Sequence, residues 1–408
     1  MTFDMPIQDV NLASSSFKAN PFPFYAQLRA EAPVYRTMIT LPNKHPVWLI
    51  TRYQDVAAAL KDARFAKDRK NTLPPEQRNK ASWMPNIFKA FENNMLDMDE
   101  PDHGRLRGLV HKVFTPRLVE QMRTRVQQLA DELLDEAARK KHFDLIEDYA
   151  LPIPVTIISE VLGIPPEDRA NFHRWTKNLV SISQPIQVLW KIPTFISLLR
   201  YIRKICKIRR ADPQDDLISA LVQTNENGDT LNDEELEGMV AILLIAGHET
   251  TVNLIGNGTL ALLEHPDQFD LLRQNPGLIK TATEELLRYS PPVEAATERY
   301  AREDITINGV TIPRGEQVMA VIASANRDEA QFDNPDTLDL TRENNKHLSF
   351  GQGIHYCVGA PLARLEGHIA LNTLLARMPN LRLTTPADKL KWRPGLSLRG
   401  LEALPVTI

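Results

Sequence analysis

The chain has 408 residues, a formal net charge of -4, and 43% hydrophobic against 25% charged side chains. This length allows about two or three average domains or one large one, and the composition supports a substantial core and argues against disorder. The charge balance gives no support for nucleic-acid binding.

Met1-Thr2-Phe3-Asp4-Met5-Pro6 lacks the basic and apolar regions of a signal peptide. It also lacks a membrane anchor of roughly 20 apolar residues, so a soluble cytoplasmic protein is expected. A helical patch is predicted near Phe24–Glu31, a strand over Val47–Thr51 and a helix over Asp55–Lys61. Residues 66–95 mix Pro, Asn and Lys with Trp83, Phe88 and Phe91 in a long irregular connection, and such connections are often functional. Asp99 to Arg107 opens a helix on which His103 and Arg107, four apart, share a face. Thr115-Pro116 starts a helix that runs to about Lys141. Val155–Leu162 is apolar and stops at Gly163-Ile164-Pro165-Pro166.

Residues 167–210 read as two or three further helical stretches. Arg200, Arg203, Lys204, Lys207, Arg209 and Arg210 form a basic run that suits either an acidic partner or a membrane surface. The plainer reading is an exposed helix face, because Ile202, Ile205 and Ile208 supply a core stripe. Asn232 and Glu235 make a capping box for a long helix that reaches about Glu264. Its centre, Ala241–Ala246, is almost wholly apolar and leads into Gly247-His248-Glu249-Thr250-Thr251. Ionisable groups inside a buried helix cost free energy unless they are satisfied or functional. A helix after Pro276 ends at Ser290-Pro291-Pro292 and carries Glu285 and Arg288 three apart. Ile305–Ile312 and Val318–Ala323 read as strands, Phe332–Arg342 as irregular, and the last stretch as short strands. Together these predict one large, mainly helical domain over residues 1–408 with a smaller β-rich part.

The chemistry centres on Phe350-Gly351-Gln352-Gly353-Ile354-His355-Tyr356-Cys357-Val358-Gly359. Glycines let backbone pass close to a bulky group. Backbone N–H groups and the positive end of a helix starting near Val358 favour thiolate over thiol, the form that ligates a metal. If Cys357 holds a metal, Cys206 has no disulfide partner, which fits a reducing compartment. The alternative is a buried structural cysteine beside a turn. Thr250 equally admits an ordinary backbone hydrogen bond within its helix, and Glu249 a buried ion pair.

This ten-residue loop resembles the haem-binding loop of the cytochrome P450 family, with Phe350, Gly353, His355, Cys357 and Gly359 matching the motif. Three further segments match the family in order. These are Ala246-Gly247-His248-Glu249-Thr250, Glu285-Leu286-Leu287-Arg288 with Arg342 downstream, and Arg299 in Glu298-Arg299-Tyr300-Ala301. The resemblance implies a mainly α fold with haem b, iron protoporphyrin IX, between a long distal helix and the helix of the Cys loop. It implies Cys357 as the iron ligand and His103, Arg107, Arg299 and His355 as propionate ligands. Glu249 and Thr250 become the proton-relay pair, and Glu285, Arg288 and Arg342 a structural network.

The reaction so implied is insertion of one atom of O2 into a bulky apolar small molecule. The chain has no nucleotide-binding glycine fingerprint, so electrons are expected from a ferredoxin and its NAD(P)H-dependent reductase. Arg105, Lys112 and Arg364 are candidates for a basic docking surface, and a monomer is expected. Segments that face substrate in this family contain Trp83, Phe88, Leu179, Val180, Leu243, Ala246, Val293, Ala296 and Leu398. All are apolar, and any one of them also suits core packing. The sequence looks most like bacterial members that tailor macrolides and other polyketides, while related members accept steroids and fatty acids. The rival readings are a peroxygenase or haem-thiolate isomerase, a haem-binding or electron-transfer protein without oxygenase activity, and a zinc protein using His347, His355 and Cys357.

Overall fold

The computed structural model describes residues 10–39, 45–74, 94–180, 185–224 and 230–408. The chain forms two compact units. One comprises residues 1–65, 124–153 and 250–408 and holds the β-structure; the other comprises residues 66–123 and 154–249.

The first unit is built on a five-stranded sheet, in the order β1 (Val34–Ile39), β2 (His45–Ile50), β8 (Gln317–Ala320), β5 (Arg299–Ala301) and β3 (Phe65–Ala66). β1 and β2 are antiparallel with Val34 opposite Ile50, and β2 runs parallel to β8 with Leu49 beside Met319. Side chains alternate across a strand, so β2 feeds two separate cores. Val47 and Leu49 pack with Ile39, Met319 and Val321 on one face. Trp48 and Ile50 pack with Val34, Val318 and Ala320 on the other. Both faces are covered, which is why the strand reads as a continuous apolar run. Each fully buried aliphatic side chain of this kind contributes ~1.5–3 kcal/mol.

Ile305–Ile312 is a hairpin, β6 (Ile305–Ile307) and β7 (Val310–Ile312), turned at Asn308-Gly309. The predicted strand Val318–Ala323 ends at Ala320 and gives way to a helical turn, Ile322–Ala325. A three-stranded sheet joins β4 (His142–Asp144), β10 (Pro405–Thr407) and β9 (Arg382–Leu383).

The second unit is helical. Its helices include Asp102–Val113, Pro116–Gln121, Pro166–Val180, Pro185–Ala211 and Leu217–Gln223. Thr115 caps its helix by accepting from Leu118 N at 3.3 Å, but that helix stops at Gln121 and a new one, Arg123–Lys140, follows. The capping box is formed in full. Glu235 N donates to Asn232 Oδ1 at 2.9 Å, and Asn232 N donates to Glu235 Oε2 at 3.0 Å. It starts the long helix Asp233–Glu264. This helix is long and apolar enough to cross a membrane, but 61% of its most apolar window is buried inside the protein, as in a core helix. Every residue from Thr251 to Leu260 is buried, so this stretch is enclosed on all sides, with Thr251, Asn253, Asn257 and Thr259 as its polar members.

Candidate functional site

The Cys loop is pinned at its start. Leu348 N donates to Asn326 Oδ1 (2.7 Å), Asn326 Nδ2 to Ser349 Oγ (2.8 Å), and Ser349 Oγ to Leu287 O (2.7 Å). The last contact ties the loop to the helix Ile279–Tyr289. Gly353 has φ of +73°, and a Cβ there would lie 2.9 Å from Leu60 O, so the loop lies against backbone that leaves no room for a side chain. Cys357 N donates to Phe350 O at 2.9 Å, closing the loop one turn before the helix Ala360–Arg377. Cys357 is exposed, whereas Cys206 is buried, and burial pushes the Cys206 thiol up to about 12. Only Cys357 is therefore both accessible and placed where a helix N-terminus favours thiolate.

Beneath the loop lies a cluster the sequence did not reveal. Arg364 donates from Nε and Nη2 to both oxygens of Glu284 at 2.7 Å, stacks 4.3 Å from the Phe350 ring centre and reaches Tyr356 OH at 3.3 Å. His347 Nε2 lies 3.0 Å from the same carboxylate. Burial works to raise the Glu284 pKa, but hydrogen bonds and charge from Arg364 and His347 outweigh it and hold the carboxyl at about 2. Arg105 likewise pairs with Glu235, and Lys112 also has a partner. The three basic residues expected to form a docking surface are thus not free charges. His347 is committed to Glu284, and among the described residues no three of His, Cys, Asp and Glu form a metal-binding group.

Glu285, Arg288 and Arg342 come together. Glu285 and Arg288 are wholly buried and joined by two 2.8 Å bonds, and Arg342 Nε reaches Glu285 at 3.1 Å. Arg288 also donates to the carbonyls of Asn326, Pro335 and Thr337, and so gathers the irregular stretch before the Cys loop.

On the long helix Leu243, Ala246, Gly247 and Thr250 recur at i, i+3, i+4 and i+7 and so share a face. None of the four is buried, and Ala246 is exposed, in contrast to the stretch from Thr251 onward. Glu249 is half-buried. His248 is buried, with Nδ1 2.8 Å from Leu244 O, so it is engaged within its own helix. Thr251 is buried against Glu366, a residue of the Cys helix that is 1% exposed. Burial pushes the Glu366 carboxyl up to about 8 despite its bond to Thr251, and its Oε2 has no protein partner. The sequence signal for Glu366 is a lone acid among Leu362, Leu365 and Ile369, a functional residue missing from the motif-based reading.

His103 is buried with Nδ1 3.4 Å from Glu100 Oε1, and burial lowers its pKa. Arg107, on the same helix, donates from Nε to His111 Nε2 at 3.1 Å. Arg299 is buried at the start of β5 and donates to Thr297 O at 3.2 Å. His355 is half-buried in the loop's 3₁₀ turn, Gly353–His355.

Of the proposed substrate contacts, Val293 and Leu398 are paired by an isolated antiparallel bridge. Ala296 is buried and belongs to the core around Val318 and Ala320. Trp83 and Phe88 lie outside the described residues, as do the side chains of Leu179 and Val180, whose backbone closes the helix Pro166–Val180.

The family model "Cytochrome P450" matches residues 196–399. The chain is 45% identical over 393 residues to the polyketide biosynthesis cytochrome P450 PksS of Bacillus subtilis, covering 96% of each chain. It is 44% identical over 408 residues to the cytochrome P450 monooxygenase PikC of Streptomyces venezuelae, covering 99% of this chain and 95% of PikC. The solved structure of PksS matches with a TM-score of 0.90 over 98% of this chain and 99% of that one. P450BioI, solved in complex with an acyl carrier protein ligated to hexadec-9Z-enoic acid, matches with a TM-score of 0.87 and 42% identity over 97% and 100%. The chain belongs to the cytochrome P450 family, oxidoreductases of the monooxygenase type whose cofactor is haem b, iron protoporphyrin IX.

Proposed function

We propose that this chain is a haem-thiolate monooxygenase for a bulky apolar acyl or polyketide chain, with Cys357 as the iron ligand. The supporting observation is the exposed Cys357 in a clamped, glycine-lined loop at a helix start, whereas the other cysteine, Cys206, is buried and held as thiol. When bound, the haem supplies activation of O2 and transfer of one oxygen atom to the substrate. The residues fit such a group: one accessible sulfur, and a face of the long helix that is exposed at Ala246 and only half-buried at Leu243, Gly247 and Thr250.

With haem bound, Arg107 and Arg299 would hold its propionates through charge-assisted bonds, and His103 and His355 would add N–H donors. Gly247 lets the helix pass close to Ile158, which a Cβ there would meet at 3.6 Å. Thr250 Oγ1 would hold a water on this face of the helix, and the Glu249 carboxylate would pass protons to it. Glu284 and Arg364 keep the Cys loop rigid. Val293 and Leu398, paired across two segments, form an apolar wall for the substrate.

PksS is a polyketide biosynthesis enzyme, and P450BioI is seen with an acyl chain on its carrier. A long apolar chain is the substrate class common to both. Electrons come from a ferredoxin and an NAD(P)H-dependent reductase. Their docking face on this chain is the Cys loop itself, where Ile354 (47% exposed) and Tyr356 (39% exposed) flank Cys357 and offer apolar contact. The enzyme works in the cytoplasm as a monomer.

The test is a binding-spectrum screen of polyketides, fatty acids and steroids, followed by turnover with surrogate redox partners. A low-spin to high-spin shift with acyl or polyketide ligands, and product that depends on NAD(P)H, is expected. Product formed with peroxide and none with the electron-transfer proteins makes the enzyme a peroxygenase instead.

A further inference from the structure

The basic run Arg200–Arg210 has no part in the proposed reaction. It lies in the helix Pro185–Ala211, and the structure divides its six charges into two sets. Arg203 grips Glu237 with Nε and Nη2, both at 2.8 Å. Arg209 pairs with Asp216 and donates to Gly163 O at 2.7 Å, and Arg210 pairs with Asp233. These three brace the helix against its neighbours. Arg200, Lys204 and Lys207 are exposed and have no acidic partner among the described residues.

The three unpaired charges stand at i, i+4 and i+7, so they form one stripe about 10 Å long. Ile208, 41% exposed, borders it. The stripe is held in place because Leu198, Leu199, Ile202 and Ile205 bury the other side of the helix. A chain with a net charge of -4 thus concentrates three uncompensated positive charges on one rigid face. We infer that this face docks an acidic helical carrier domain that presents the substrate as a thioester. The inference rests on the acyl or polyketide reading above.

Charge complementarity carries the choice of partner. A helix with carboxylates at matching spacing sets three pairs along the stripe, and Ile208 adds an apolar contact at its edge. A membrane surface calls for several large apolar side chains beside the charges, and this stripe has one. A ferredoxin needs a face at Cys357, and the Cys loop carries its own exposed apolar pair, Ile354 and Tyr356.

The experiment titrates the holoenzyme with an acyl carrier protein charged with a long-chain acyl thioester, and separately with the free fatty acid, following the haem absorption shift. Wild type is expected to bind the charged carrier more tightly than the free acid, with affinity that falls as salt rises. The triple variant Arg200→Glu/Lys204→Glu/Lys207→Glu is expected to lose about tenfold or more in carrier affinity while keeping its affinity for the free acid. A triple Gln variant, which removes charge without reversing it, gives a smaller loss of the same kind and guards against misfolding of the first. If the free acid binds but charge reversal leaves carrier affinity unchanged, the docking face is wrong and the substrate reading stands. If neither ligand shifts the spectrum of wild type, both fall. Slower ferredoxin-driven reduction, or lost vesicle binding with carrier affinity intact, reassigns the stripe and overturns the inference.

Discussion

Glu285→Gln tests the buried network that presents the Cys loop. Arg288 is wholly buried, and its five hydrogen bonds run to both Glu285 oxygens and to the carbonyls of Asn326, Pro335 and Thr337. Glu285 is its one carboxylate partner among the described residues, and the same carboxylate accepts from Arg342 Nε, Asn345 Nδ2 and Asp339 N. Glutamine keeps the shape, but it removes the negative charge and turns an amide N–H₂ toward donors. Leaving a buried charge without its partner costs about 3–5 kcal/mol. A whole domain is stable by only about 5–15 kcal/mol, so the variant sits near the threshold of folding. The assay is urea unfolding of the holoprotein, with the reduced carbon monoxide spectrum recorded on the same samples. Loss of several kcal/mol is expected, together with early loss of the thiolate-type band, because Arg288 and Arg342 gather the segment leading to Cys357. Glu284→Gln, at a side chain 27% exposed, is the control and costs less. A cost for Glu285→Gln below about 1 kcal/mol, the range of an exposed ion pair, refutes the reasoning.

Cys357→Ser is expected to abolish the long-wavelength Soret band of the reduced carbon monoxide complex, while Cys206→Ser leaves it intact; the reverse pattern removes Cys357 as ligand. Thr250→Ala takes away a hydroxyl but little volume, so haem content and substrate affinity persist while product per NAD(P)H falls and hydrogen peroxide rises. Thr250→Ser restores most of the coupling, and a substrate without a hydroxyl of its own must be used; wild-type coupling in Thr250→Ala eliminates the relay. Glu366 is neutral in the folded state up to about pH 8 and ionises from 4.5 when unfolded. The folded state therefore holds the extra proton, and stability from this group is complete below pH 4.5 and lost as pH rises through about 8. Glu366→Gln removes that dependence, which is worth up to ~5 kcal/mol at ~1.4 kcal/mol per pKa unit. Urea melts of both proteins across this range check it, and parallel curves for the two count against a buried neutral Glu366.

Local chemistry made much of this protein legible in its sequence. The Cys loop, the capping box at Asn232 and Glu235, the long apolar helix and the Glu285–Arg288 spacing are contiguous patterns, and each is governed by interactions within a few residues. The hairpin at Asn308-Gly309 was less clear, because both of its strands are three residues long and read as one run. Tertiary structure alone decided the rest. Glu284, Arg364, His347, Phe350 and Tyr356 are scattered in sequence, and only folding brings them into one clamp under Cys357. The same holds for Val293 with Leu398 and for Thr251 with Glu366. Arg105 and Arg364 read as surface charges because composition records a charge but not its partner. Whether a cation is free to dock or is already neutralised depends on which carboxylate the fold delivers to it. Spacing along one helix cannot supply that information, and packing between distant segments does.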